Sequence, residues 1–399
     1  MKKLLSILLA LTMLLCTACG GGENGGSKNG KNENIYTEIT GIAPDETVML
    51  LGETEIPASL YFYWVSYIAR SLEQQIQAYN LYYGMYADKL NADKSLNWNA
   101  EYATGVTFAD YIAAQAKGTM AYLIVVERMA KTNEITLSDE ALAEIEKVKA
   151  DIVKSYSEEL VAQDAANEGL SDKEVFDRYL AMLGIDEELF VRLSGFEYLY
   201  NDLVDLVMTE GSDLYLDPVD YNQYAFYADH ILIATKNLST NESLSAEMIL
   251  KKRTLAEDLL SQLQASDDME ALFAQFADEF SEDTGRTANP TGYIFTPGTM
   301  VAEFENAVKS LEIGGLSGLV ESTYGYHIIL RRDLVKGLEE QSAKKAEIAA
   351  LHLESLINLI IENSNVTIND NIAQLDLATV YTTYMEKTGQ STGIESSDK

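Results

Sequence analysis

Two stretches decide how this chain folds: Ala228-Asp229-His230-Ile231-Leu232-Ile233, and Tyr324-Gly325-Tyr326-His327-Ile328-Ile329-Leu330. Each is a short apolar run with a single His, rich in the β-branched residues that suit a buried strand. The chain has only three His in 399 residues, and two of them lie in these runs. A lone His on a strand is more often a satisfied core residue than a catalyst, so its meaning depends on what surrounds it.

Working outward, the first run leads into a helix from Ser245 to Leu263. A short helix, Met269-Glu270-Ala271-Leu272-Phe273-Ala274, then runs toward Phe280-Ser281-Glu282-Asp283. Next comes Gly292-Tyr293-Ile294-Phe295-Thr296-Pro297-Gly298-Thr299-Met300-Val301-Ala302-Glu303-Phe304-Glu305, and then Leu311-Glu312-Ile313-Gly314-Gly315-Leu316-Ser317. Taken singly, these residues read blandly. Met300 and Phe304, four apart on a predicted helix, are core residues, and Asp283 after Ser281 is a cap or turn residue.

Taken together and in order, the segments resemble the parvulin family of peptidyl-prolyl cis/trans isomerases. The resemblance implies an α+β domain over 224–335, a four-stranded antiparallel sheet with surrounding helices. It also implies a site: His230 and His327 at the paired imidazole positions, Asp283 where parvulins carry Cys or Asp, and Ser322 as the hydroxyl of the same network. Met300 and Phe304 match the proline pocket, with Tyr293 and Phe295 lining the substrate. In the family the two imidazoles are hydrogen-bonded to one another and orient the carboxylate. Whether Asp283 acts electrostatically or only structurally stays open. The chain departs from the family pattern at Asn289-Pro290-Thr291-Gly292, where Thr291 replaces a Leu, and at Ile294, where an aromatic is common and Phe295 follows instead. The loop after the first strand, Ala234 to Glu242, has one Lys and a Glu, which argues against selection for phosphorylated substrates.

Such modest residues suffice for this reaction. Rotation about a peptide bond meets a barrier of about 18 to 20 kcal/mol, and no proton or acyl group needs to move. An apolar grip on the proline ring, in surroundings that favour the twisted amide, lowers it.

The rest of the chain frames this domain. Lys2 and Lys3 precede the apolar run Leu4 to Leu15, too short to span a bilayer and built like an export signal. Leu15-Cys16-Thr17-Ala18-Cys19-Gly20 resembles a bacterial lipobox, which makes Cys19 the lipidated first residue of the mature chain, after a signal at 1–19. No Cys follows Cys19, so neither a disulfide nor a thiol nucleophile is expected. Residues 20–34 are Gly- and Asn-rich and read as a flexible linker.

A hairpin is predicted over Thr47 to Ile56, then helices from Pro57 onward and over Phe108 to Lys131, Ser138 to Ala166, Ser171 to Leu183 and Asp186 to Thr209, with Ser138 and Ser171 as N-caps. This helical region, 35–218, has the layout of foldase-type lipoproteins and periplasmic chaperones. Residues 336–387 return to helix, with an apolar stripe at Ala349, Leu353, Leu356 and Ile360 that is expected to pack on the N-terminal helices. The isomerase domain is then an insertion in a mainly helical, chaperone-like domain, and 388–399 is a polar, disordered tail.

Composition sets limits. A net charge of −34, from 63 Asp and Glu against 29 Lys and Arg, argues against nucleic-acid binding, because phosphates are held by cations. The three scattered His give no zinc pattern, the Gly-rich segments lack a nucleotide-loop context, and neither metal nor cofactor is expected. The third, His352, reads as structural. The expected partners are unfolded or newly exported polypeptides containing X-Pro bonds, and the membrane through a lipid on Cys19, with a homodimer admitted. The location is then the outer face of the cell membrane. Tyr61, Phe62, Tyr63, Trp64, Tyr67, Tyr79, Tyr82 and Tyr83 concentrate aromatic surface on one helix, as core or as a cradle for clients. Two readings remain: an extracytoplasmic foldase that isomerises X-Pro bonds, or a non-enzymatic holdase with a degenerate parvulin domain. A solute-binding lipoprotein would need an alternating strand and helix pattern, which is missing.

Overall fold

The computed structural model describes residues 34–389. The signal sequence, Cys19, the linker up to residue 33 and the tail beyond 389 lie outside the described residues. The chain divides into two compact units, one running to Leu203 and resuming at Leu356, the other spanning Val204–Ser355.

The first unit begins with helix α1 (Ile35–Thr40), then strands β1 (Thr47–Leu51) and β2 (Thr54–Pro57) of the expected hairpin. Helix α2 (Ala58–Tyr83) follows, then a small hairpin, β3 (Glu101–Ala103) and β4 (Val106–Thr107), that no sequence signal marked. Helices α3 (Phe108–Thr132), α4 (Asp139–Gln163), α5 (Asp172–Leu183) and α6 (Glu187–Met208) match the predicted spans closely. Their starts follow capping chemistry: the Ala141 N–H donates to Ser138 Oγ at 3.1 Å, and Ser171 forms a capping box with Glu174.

In α2 the aromatic residues sort by position. Tyr61, Phe62, Tyr63 and Trp64 are buried, whereas Tyr79, Tyr82 and Tyr83 at its C-terminal end are exposed, Tyr82 by 75%. The buried ones are core, as the burial of large rings favours.

The second unit takes in the last turn of α6 and a short 3-10 turn, Pro218–Gln223, and continues with β5 (Phe226–Ala234), α7 (Ala246–Ala265), α8 (Met269–Phe280), β6 (Tyr293–Phe295), α9 (Ala302–Ser310), β7 (Val320–Glu321) and β8 (Gly325–Arg331). The strands form one antiparallel sheet in the order β6-β5-β8-β7. Period-two alternation divides its faces. On one side Ile231, Ile233, Tyr326, Ile328 and Leu330 pack with Leu259, Leu263, Phe273 and Phe276 of α7 and α8. On the other, Ala228 and Ile329 pack with Phe295, Phe304 and Val308, which brings α9 over that face. Gly292 makes the entry to β6 feasible: its φ is +104°, and a Cβ there would lie 2.4 Å from the Ala228 carbonyl oxygen.

Past the sheet, the predicted C-terminal helix is two helices, α10 (Leu334–Glu340) and α11 (Ser342–Glu362). The stripe expected to pack on the N-terminal helices is divided, since Ala349 and Leu353 belong to the second unit and Leu356 and Ile360 to the first. His352 has a structural place: its Nδ1 lies 2.8 Å from the Tyr224 hydroxyl. Three elements without a clear sequence signal, β9 (Val366–Ile368), α12 (Asp370–Ala373) and α13 (Leu377–Thr388), complete the first unit. β9 adds a third strand to the hairpin, pairing Met49 with Ile368. From α13, the Tyr381 hydroxyl donates to the buried Glu73 carboxylate at 2.8 Å, and the Tyr384 ring stacks on Tyr36 at 5.2 Å.

Candidate active site

The register of β5 and β8 places both strand imidazoles together. His230 lies opposite Ile329 and Leu232 opposite His327, so the two His are diagonal neighbours on one face, the one α9 covers. Their ring centroids are 5.3 Å apart at 59°. The Phe304 ring of α9 meets both edge-on, 5.2 Å from His230 and 5.7 Å from His327, and lies 5.8 Å from Phe295. Phe304 is only 3% exposed, so it forms the floor of the site.

Asp283 arrives by a different route. Strand β6 pairs with β5 only at Phe226 to Ala228, which leaves the rest of that edge open. The turn after α8 fills it: the Leu232 N–H donates to Ser281 Oγ at 3.1 Å, the Glu282 N–H to the Leu232 carbonyl at 2.8 Å, and the Ala234 N–H to the Glu282 carboxylate at 2.8 Å. Held there, Asp283 brings its Oδ2 to 3.8 Å from His230 Nε2. Its Oδ1 accepts from the Gly285 N–H at 3.1 Å.

Tyr293, from β6, meets the same carboxylate. Its hydroxyl donates to Asp283 Oδ2 at 2.5 Å, while its ring stacks on His230 at 5.8 Å and 22°. Gly285 leaves room for this bond, because a Cβ there would fall 2.2 Å from the Tyr293 hydroxyl. Burial, then the bond to Asp283 and its charge, push the Tyr293 hydroxyl well above the usual phenol range, so it stays a donor. The aromatic residues of this strand thus stand on either side of Ile294. Tyr293 and Phe295 share the site face, and Ile294 pairs with Tyr227 and turns the other way. Thr291 is exposed, and its carbonyl accepts from the Tyr227 hydroxyl at 2.9 Å.

Two further expectations need correction. Met300 does not lie on a helix with Phe304, since α9 begins at Ala302; Met300 reaches the cluster from the loop before it, half-buried against Phe295 and Phe304. That loop is pinned by Glu305, whose carboxylate accepts from the Gly298 N–H at 2.7 Å. The two imidazoles share no hydrogen bond, and the Nδ1 atoms of His230 and His327 are buried without a partner. His327 Nε2 instead lies 2.7 Å from Ser322 Oγ.

Burial, reinforced by the neighbouring His230, lowers the His327 pKa to about 3, and burial also pulls His230 below its ordinary value despite Asp283. Both rings are therefore neutral near pH 7, each with one N–H and one acceptor nitrogen. A stability signature follows. Between about pH 3 and about pH 6.5 the unfolded His327 binds a proton that the folded one refuses, so stability rises with pH in that window and falls on acidification. One such group contributes a slope of up to about 1.4 kcal/mol per pH unit. Urea unfolding of the wild type and of His327→Gln from pH 4 to pH 7 is expected to show a shallower dependence in the variant, and identical slopes would refute the assignment.

The site therefore combines an apolar floor, a carboxylate fixed by a phenol and a backbone N–H, and two neutral imidazoles. Such a constellation can grip a small apolar ring while a neighbouring carbonyl turns, and nothing in it requires proton transfer. Residues 230–333 match the rotamase family, described as the PPIC-type PPIASE domain. This segment is a parvulin-type rotamase domain.

Among known proteins, the chain is 34% identical over 180 residues to the foldase protein PrsA of Halalkalibacterium halodurans, covering 43% of this chain and 48% of that one. It is 25% identical over 265 residues to foldase protein PrsA of a Geobacillus species, covering 62% of this chain and 90% of that one. The match thus spans about half the length of the first relative. A crystal structure of the peptidylprolyl isomerase PrsA from Bacillus anthracis is 22% identical, with a TM-score of 0.26, covering 63% of this chain and 98% of that chain.

Proposed function

We propose that this protein is an extracytoplasmic foldase that isomerises X-Pro bonds in exported polypeptides, held at the membrane by a lipid on Cys19. The observation that carries the reading is the Phe304 ring packed against both imidazoles, with the Asp283 carboxylate beside His230. The proline ring rests on Phe304 with Met300 and Phe295 at its sides. Asp283 faces the rotating amide, where its fixed negative charge disfavours the planar, resonance-stabilised ground state. Ser322, His327 and His230 hold the floor and the carboxylate in register. Residues 224–335 carry the reaction, and the helical parts flanking them carry client binding.

A second reading, a holdase, draws on a separate observation: Tyr79, Leu81, Tyr82, Tyr83, Met85 and Tyr86 are exposed together at the end of α2. Such amphipathic rings suit adaptable binding to unfolded chains.

One experiment separates the two. The chain from Asn34 onward is assayed on short unphosphorylated X-Pro peptides and, in parallel, for suppression of aggregation of a reduced, unfolded reporter. Isomerisation well above the uncatalysed rate, which is tens to hundreds of seconds per event, is expected. Suppression without isomerisation would leave only the holdase. The intact mass of the full-length protein from membranes, cleaved before Cys19 and carrying the added lipid, checks the anchor.

A further inference from the structure

Behind the site, on the opposite face of β5, lies a cluster of charges that the proposed reaction does not use. Asp229, next to His230 in the strand, is 3% exposed. Its Oδ1 accepts from Arg286 at 2.9 Å and from the His230 backbone N–H at 2.8 Å, and its Oδ2 accepts from Arg332 at 3.3 Å. Arg286 also reaches the Asp278 carboxylate of α8 at 2.7 Å, and its backbone N–H donates to the Asp283 carbonyl at 3.3 Å. A buried carboxylate is costly to desolvate unless it is paired. Its two guanidinium partners come from the two segments adjoining the site: Arg286 from the turn that carries Asp283, and Arg332 from the residue just past β8, the strand that carries His327.

We infer that Arg286 and Asp229 are a positioning pair that sets the place of Asp283 relative to His230. The bracket is attached one residue from His230 and three residues from Asp283, so it fixes the separation of the two reacting-side groups from behind, while the Tyr293 hydroxyl fixes it from the front. A planar guanidinium suits this work because its fork can bind two carboxylates at set angles, which an ammonium cannot. Asp229 points away from the His230 face of the sheet, as the alternation of β5 dictates. Both residues act through Asp283.

The inference rests on the isomerase reading, and the test keeps their failures apart. Isomerisation of an X-Pro peptide is measured for the full chain and for Arg286→Gln, Arg286→Lys, Asp283→Ala and the double variant Arg286→Gln with Asp283→Ala, with circular dichroism to establish that each is folded. Arg286→Gln is expected to lower kcat about fivefold to tenfold with KM nearly unchanged, and to add little to Asp283→Ala, since residues acting as a unit are not additive. A purely structural role would reduce the folded fraction and leave that fraction's kcat intact. Undiminished loss in the Asp283→Ala background, or no loss at all in Arg286→Gln, overturns the inference while leaving the isomerase reading standing. An inactive wild type sinks both. Should Asp283→Ala show no rate above background, or Arg286→Gln fail to fold, Arg286→Lys decides: it keeps the charge beside Asp229 but not the fork, so a folded variant whose kcat falls at least about threefold supports the pair, and a kcat within about threefold of wild type overturns it.

Discussion

Phe304→Ala is expected to abolish most activity and to destabilise the second unit together. The ring is the floor on which both imidazoles rest, so its removal leaves a cavity bounded by His230, His327 and Phe295. Deleting a buried Phe costs about 3 to 5 kcal/mol, a large share of a domain's stability. In the fraction that remains folded, loss of the proline grip is expected to lower kcat/KM at least about tenfold, or about 1.4 kcal/mol of transition-state stabilisation. Phe304→Leu separates the two effects. It refills much of the cavity but presents no flat face, so stability is expected to recover by more than half while kcat/KM stays depressed. Full activity in folded Phe304→Ala would remove the ring from the pocket.

The second large effect is expected at Gly292→Ala. There the new methyl would meet backbone, the Ala228 carbonyl oxygen at 2.4 Å and the Asp229 Cα at 2.7 Å, and neither can turn aside as a side-chain end could. The residue would also hold a φ of +104°, which a side chain rarely tolerates. Strain and forced displacement together cost on the order of 3 kcal/mol or more. Because Tyr293 follows directly, separating β6 from β5 also withdraws the phenol from Asp283. A lowered urea midpoint with reduced kcat is the expected pair of results. Gly318→Ala, whose added methyl meets nothing within 4 Å, serves as the control and is expected to change neither.

The sequence disclosed the frame of both units because their signals are local. Ser138 and Ser171 announce helix starts through their own hydroxyls, and the continuous apolar runs around His230 and His327 leave little alternative to buried strands. Elements whose formation depends on distant partners were silent. β9 is three residues long and exists because β1 offers it an edge, and α13 is fixed through contacts such as Tyr381 to Glu73. Within the site, the pairing of His230 with His327 was legible only through the family resemblance. The bond from Tyr293 to Asp283 was not. It depends on Gly285 leaving room and on which residues of β6 face α9, and a one-residue difference in that strand exchanges the two faces. The same ambiguity made Ile294 read as a departure from the family pattern, although Tyr293 and Phe295 lie on the other face of the strand. Arg286 and Asp229 escaped notice because single charges in a turn and a strand read as solvated residues until a fold buries one of them.

The division of the first unit has a consequence for how the chain folds as it is made. Glu73 and Tyr381 are bonded although 308 positions separate them, and Met49 waits for Ile368 as its strand partner. A polypeptide emerging N-terminus first therefore presents the long helices of this unit before the segment that closes it has left the ribosome. The Val204–Ser355 unit is contiguous in sequence, so it can reach its final form earlier, as short loop closures precede long ones. Until the last strand and helix arrive, the first unit is an incomplete helical scaffold with exposed apolar surface, and this chain is for that interval in the same predicament as any protein it would assist.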